Sequence, residues 1–151
     1  MTRRWVPIAI AITLGAALAA TLPTLPAVSQ ESPPPPVVEI QDTATLAARG
    51  AAVLVTVTVT CPAGEEAYLQ VGVSQRRGSR AANGFGYVDT LVCTGEPQTV
   101  TVPVLASNAT FKKGVAFATA QLFVCGRFFC GSVSDAEEIT LVQANGAAVA
   151  A

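Results

Sequence analysis

The sequence contains no histidine among its 151 residues, and it has only one methionine and one tryptophan. Without histidine, neither a Ser-His-Asp triad nor a metal site with histidine ligands can form. Charged residues make up only 13% of the chain and the formal net charge is −1, so the composition lacks the basic excess typical of nucleic-acid-binding proteins. These absences predict a protein that is not an enzyme, has no cofactor or metal, and binds no nucleic acid.

Long apolar runs are also scarce, and the clearest one lies close to the N-terminus, at residues 6–20. Two arginines precede it, and the small residues Ala27 and Ser29 follow at the spacing that signal peptidase recognises. The run is shorter than the ~20 apolar residues that a membrane-spanning helix needs. We therefore expect residues 1–29 to be a signal peptide for the general secretory route rather than the twin-arginine route, with the secreted protein beginning at Gln30.

The remainder of the chain is long enough for one domain. Losing two arginines with the signal peptide changes the net charge from −1 to −3. Residues 30–36 contain four consecutive prolines and are predicted to be an extended spacer. Residues 37–143 form the predicted domain, and the alanine-rich residues 144–151 are predicted to be a flexible tail. Once the signal peptide is removed, no membrane association is expected.

Valine and threonine alternate over much of the domain, which is the period-two pattern of half-buried strands. In residues 53–61 the valines and Cys61 share one face, and the threonines share the other. Turn residues separate further segments of this kind, and no stretch has a sustained helical period. The predicted strands lie at residues 37–46, 53–61, 67–73, 85–93, 98–105, 114–125 and 137–142. This pattern predicts an all-β fold, an immunoglobulin-like two-sheet β-sandwich.

Four cysteines follow the predicted signal peptide, as expected in an oxidising, extracellular compartment. Alternation places Cys125 on the polar face of its strand, which disfavours a bridge through the core from Cys61 to Cys125. Four residues separate Cys125 from Cys130, a hairpin-loop length that brings the two within bonding reach. The sequence therefore predicts two disulfides, Cys61–Cys93 and Cys125–Cys130.

Four short segments carry a resemblance to known proteins: residues 57–65 (VTVTCPAGE), 71–76 (VGVSQR), 92–95 (VCTG) and 111–116 (FKKGVA). Through them, residues 45–142 resemble a family of uncharacterised secreted domains from actinobacteria. This resemblance implies an extracellular, immunoglobulin-like β-sandwich. The close spacing of Cys125 and Cys130 before the last strand is also similar to the neocarzinostatin-type apoproteins, which are sandwiches that carry an apolar chromophore.

One predicted loop, residues 75–83, contains three arginines in a setting of glycine, serine and alanine. Arg76, Arg77 and Arg80 would offer a cleavage bait to a trypsin-like protease or a basic patch to an anionic polymer. The alternative is a mobile, solvated loop without a partner.

The loop between Cys125 and Cys130 contains Arg127, Phe128 and Phe129. A short, disulfide-closed loop would hold these side chains outward with little entropy lost on binding. The alternative is that the phenylalanines fold back over the core. The acidic clusters at residues 65–66 and 135–138 are expected to be solvated rather than to form a catalytic or calcium site.

Three functions remain open at this point. The favoured one is a non-catalytic extracellular recognition or adhesion module, whose partner would be another extracellular protein or a cell-wall polymer. The second is an inhibitor or effector of another secreted protein, which acts through an exposed loop. The third is a carrier of an apolar small molecule in a cleft between sheets.

Overall fold

The structure is a computed structural model that describes residues 35–127 and 130–144. The predicted signal peptide, most of the proline-rich spacer, Phe128, Phe129 and nearly all of the predicted tail lie outside the described residues. Each strand coincides with a run of alternating apolar and polar residues, or continues one. Eight strands are described: β1 (Val37–Ile40), β2 (Thr43–Ala47), β3 (Ala52–Thr60), β4 (Glu66–Arg77), β5 (Arg80–Val92), β6 (Gln98–Ala106), β7 (Gly114–Cys125) and β8 (Cys130–Gln143).

The strands form one hydrogen-bonded sheet that closes on itself as a seven-strand barrel, in the order β3-β2-β8-β7-β4-β5-β6 and back to β3. The all-β prediction is therefore confirmed, but the prediction of two separate sheets needs correction. Strand β3 pairs with β6 along one edge and with β1 and β2 along the other. The predicted strand at residues 37–46 is in fact two strands, β1 and β2. The barrel closes because β2 pairs with β3 and also, in parallel, with β8.

The barrel interior is filled by the inward faces that the alternation predicted. Val53, Val55, Val57 and Val59 on β3 are completely buried. Alternate residues of β4 and β7 add small and branched side chains, from Ala67 to Val73 and from Ala116 to Val124. Fully burying one valine stabilises a fold by about 1.5–3 kcal/mol, so these faces supply much of the driving force for folding.

Both predicted disulfides are present. Cys61–Cys93 is buried and joins the segment after β3 to the segment after β5, with 5.3 Å between the Cα atoms. Cys125–Cys130 closes the hairpin between β7 and β8, where the two Cα atoms are 4.1 Å apart. Cys125 lies on the exposed face of β7, as its position in the alternating pattern predicted.

Candidate functional site

The three arginines of the predicted 75–83 loop lie on a β-hairpin, so the loop prediction is wrong. Arg76 and Arg77 end β4, Arg80 begins β5, and the strands pair up to Arg77 and Arg80. Only Gly78 and Ser79 form the turn, and Gly78 has φ +63°, a left-handed conformation that glycine adopts without strain. Glycine followed by serine is a known two-residue hairpin signal, and it was present in the sequence.

A buried glutamine fastens this hairpin to the β6–β7 connection. Gln75 is 3% exposed, and its side-chain amide donates to the carbonyl oxygens of Lys112, at 2.7 Å, and of Val115, at 3.3 Å. Its side-chain oxygen accepts from the Lys112 N–H at 2.8 Å. Arg77 also donates to the Thr110 carbonyl oxygen at 2.6 Å. The arginines therefore belong to an ordered surface that includes Lys112 and its neighbour Lys113.

The second predicted binding loop is described only in part. Arg127 is exposed between β7 and β8, whereas Phe128 and Phe129 lie outside the described residues. The prediction that these three side chains form a binding surface stays a prediction.

The acidic residues of β8 have a clear structural role at one position. Asp135 accepts from the backbone N–H of Ile40 at 2.8 Å, which ties β1 to β8. Within the described residues, no cluster of three or more His, Cys, Asp or Glu side chains has a geometry that could hold a metal ion.

An exposed aromatic surface is the feature that sequence reasoning missed. Five of the six phenylalanines and tyrosines in the described residues project outward from β4, β5 and β7, whose cross-strand partners share one face of the sheet. Phe85, Tyr87 and Phe117 are 57%, 61% and 50% exposed. This aromatic face comprises Tyr68, Phe85, Tyr87, Phe117 and Phe123.

Three of the five rings of the aromatic face form a cluster. Tyr68 lies between the other two members of a cluster, with its ring centroid 6.4 Å from that of Tyr87 and 5.8 Å from that of Phe123. These separations lie in the range of favourable aromatic contacts, so the rings hold each other in place.

A groove crosses the middle of the aromatic face. Its volume is about 320 Å³, and it lies beside Gly72, where the lack of a side chain lets the Phe85 ring and the Thr119 hydroxyl lie close to the backbone. Exposed amides and hydroxyls border it. Two rows of cross-strand neighbours span the groove region: Phe85–Gly72–Thr119–Ala136 and Tyr87–Gln70–Gln121–Ser134.

The alternation within each strand carried part of the signal for this surface, because it shows which aromatic side chains point outward. In β7 the inward face is alanine-rich, and Phe117 and Phe123 lie on the outward face together with Cys125. In β5, glycines occupy the inward positions on either side of Phe85, which leaves Phe85 and Tyr87 pointing to solvent. Large aromatics that alternate with alanine or glycine therefore indicate an exposed aromatic surface rather than a core.

No protein-family model matches the chain, and no curated protein sequence is similar to it. In residues 35–127 and 130–144 there is no helix that is long and apolar enough to span a bilayer.

Proposed function

We propose that this protein is a secreted, non-catalytic recognition module that binds an uncharged polysaccharide on its aromatic face. The observation that supports this most strongly is the outward projection of five aromatic side chains from one side of a rigid sheet. Large apolar side chains that cluster on the surface of a soluble protein commonly mark a binding site. The two disulfides accord with secretion.

The chemistry of the aromatic face suits a sugar chain. Pyranose rings have apolar faces of axial C–H groups, which pack on aromatic rings, and equatorial hydroxyls, which hydrogen-bond to amides and hydroxyls. Aromatic rings and polar groups of these kinds stand side by side here, since Gln70, Thr119 and Gln121 are exposed next to Phe85 and Tyr87. Among the described residues that line the groove, Asp135 is the one charged residue, and its carboxylate already accepts from the Ile40 N–H. The exposed side chains of the two rows are uncharged, which matches an uncharged partner.

The two other functions find less support. An apolar guest would have to enter a barrel whose interior is occupied by buried core side chains. A protease bait at Arg77 would have to leave a paired hairpin, because Arg77 is paired with Arg80. A protein partner that docks on the aromatic face remains the main alternative.

For the fold, we propose a relationship to the immunoglobulin-like sandwiches. The strands divide into a group β1-β3-β6 and a group β2-β8-β7-β4-β5. Two short junctions join these groups. One consists of two residue pairs between β5 and β6, and the other of three residue pairs between β2 and β3. If the two groups were separated at these junctions, each would be one sheet of a β-sandwich.

Affinity electrophoresis in soluble neutral polysaccharides, with pull-downs on cellulose and chitin, tests the proposed function. The wild type should be retained by at least one polymer, and Tyr87→Ala should weaken binding by about 1–2 kcal/mol, roughly five- to thirtyfold. Tyr87→Phe keeps the ring and should retain most of the affinity, and Val37→Ala on β1 is the control for loss of an exposed apolar side chain. Lack of wild-type binding to every neutral polymer would refute the proposal, and capture of a secreted protein partner instead would favour the main alternative.

A further inference from the structure

Basic residues are concentrated at one end of the barrel. Seven lysines and arginines follow the predicted cleavage site, and six of them lie on the β2–β3 turn, the β4–β5 hairpin and the β6–β7 connection. The seventh, Arg127, follows the other end of β7, a strand of 12 residues that spans roughly 40 Å. This basic end comprises Arg49, Arg76, Arg77, Arg80, Lys112 and Lys113.

Two adjoining open grooves gather most of these charges. The first has a volume of about 1040 Å³ and is lined by Arg76, Arg77, Lys112 and Lys113. The second, of about 630 Å³, is lined by Arg49 and shares both lysines with the first. Among the described residues that line the two grooves, Glu138 is the only acidic one. The local charge is therefore strongly positive, although the secreted part as a whole is acidic.

The basic end is fixed in place before any ligand arrives. Gln75 holds the backbone of Lys112 from both sides, and Phe111 is buried, with its N–H donating to the carbonyl oxygen of Gly50 at 2.8 Å. Three connections are thereby joined into one surface. A ligand that binds there loses less affinity to the ordering of loops.

We propose that the basic end is a second binding site, which takes a linear anionic polysaccharide through its carboxylate or phosphate groups. A chain fits better than a small anion because the charges are spread over two connected grooves rather than gathered around one point. A polysaccharide with at most one charge per sugar fits better than double-stranded nucleic acid, which has one charge per ~1.7 Å, because the acidic remainder of the protein repels a more densely charged polymer.

Binding titrations of the purified secreted protein with polygalacturonate, dextran phosphate and uncharged dextran test this proposal. Both anionic polymers should bind at 50 mM NaCl, at least tenfold more tightly than at 300 mM, because salt screens the attraction. Uncharged dextran is the control, and any binding to it should be equally tight at both salt concentrations. The stronger of the two anionic ligands shows whether carboxylate or phosphate is preferred.

Matched charge reversals separate a site from a general charge effect. Arg76→Glu and Lys112→Glu should each weaken binding to the anionic polymers at least fivefold, whereas Arg127→Glu, with the same change in net charge at the other end, should not. Melting curves check that each variant is folded. Three results would overturn the proposal. These are equal weakening by Arg76→Glu and Arg127→Glu, failure of both anionic polymers to bind, and binding to single-stranded DNA that is tighter than binding to either anionic polysaccharide. Tyr87→Ala should leave binding to the anionic polymers unchanged, so this site and the aromatic face can fail separately.

Discussion

At the scale of single residues, Gln75 connects the fold to the surface that the basic end presents. It is the one polar side chain among the buried residues of the described part of the chain. Its amide makes three hydrogen bonds, two to the backbone of Lys112 in the β6–β7 connection and one to the carbonyl oxygen of Val115 at the start of β7. Buried polar groups that lose their partners are costly, so this connection depends on a single side chain.

Replacing Gln75 with leucine should lower the free energy of unfolding by about 2–4 kcal/mol, because it leaves the backbone N–H and carbonyl of Lys112 without their partners. Urea denaturation followed by circular dichroism measures this loss. Ser74→Ala is the control: its exposed hydroxyl makes one hydrogen bond, to the Asn83 side chain at 2.8 Å, and its loss should cost about 0.5–1 kcal/mol. A similar loss in both variants would contradict the role assigned to Gln75.

At the scale of elements, the two disulfides make different contributions. The Cys61–Cys93 bridge encloses β4 and β5 and is buried, whereas Cys125–Cys130 closes a hairpin at the surface. Loop-closure entropy in the unfolded chain favours the longer bridge, at about 3.7 kcal/mol against about 2.2 kcal/mol for the shorter.

The double variant Cys61→Ala/Cys93→Ala should therefore unfold at a lower temperature than Cys125→Ala/Cys130→Ala. Loss of two buried sulfur atoms adds to the entropic effect in the first variant. Differential scanning calorimetry of both variants beside the wild type gives the comparison. A larger drop for the surface bridge would show that the β7–β8 hairpin limits stability.

Strand faces were predictable because side-chain alternation is a local property, and each inward valine of β3 is buried as expected. The break between β1 and β2 after Ile40 was not predictable, because it depends on the pairing of β2 with β8, which lies almost a hundred residues away in the sequence. The turn at Gly78 and Ser79 was predictable from turn residues, but the extension of β4 to Arg77 and of β5 from Arg80 was missed, since the arginines suggested a solvated loop. The aromatic face required combining the alternation of three strands with their pairing order, which the sequence does not specify.

At the scale of the whole molecule, two surfaces of different chemistry adjoin. The aromatic face occupies the outer side of β4, β5 and β7, and the basic end lies where β4 meets β5 and where β7 begins. Phe117 belongs to the aromatic face and also lines the larger basic groove, so the two surfaces are continuous. The opposite end carries Glu65, Glu66 and Glu96 in its connections and first strand residues, which gives the barrel a marked charge asymmetry.

The central claim, that the aromatic face is the recognition surface, is tested most directly by mapping the backbone amide shifts in NMR spectra of the ¹⁵N-labelled protein during titration. Cellohexaose, chitohexaose and mannohexaose serve as uncharged ligands. At least one should shift the amides around Gln70, Gly72, Tyr87 and Thr119 most strongly, because these residues border the groove or stand beside it. If no hexasaccharide shifts them, or if the largest shifts lie around Arg127, the aromatic face is not the site of recognition.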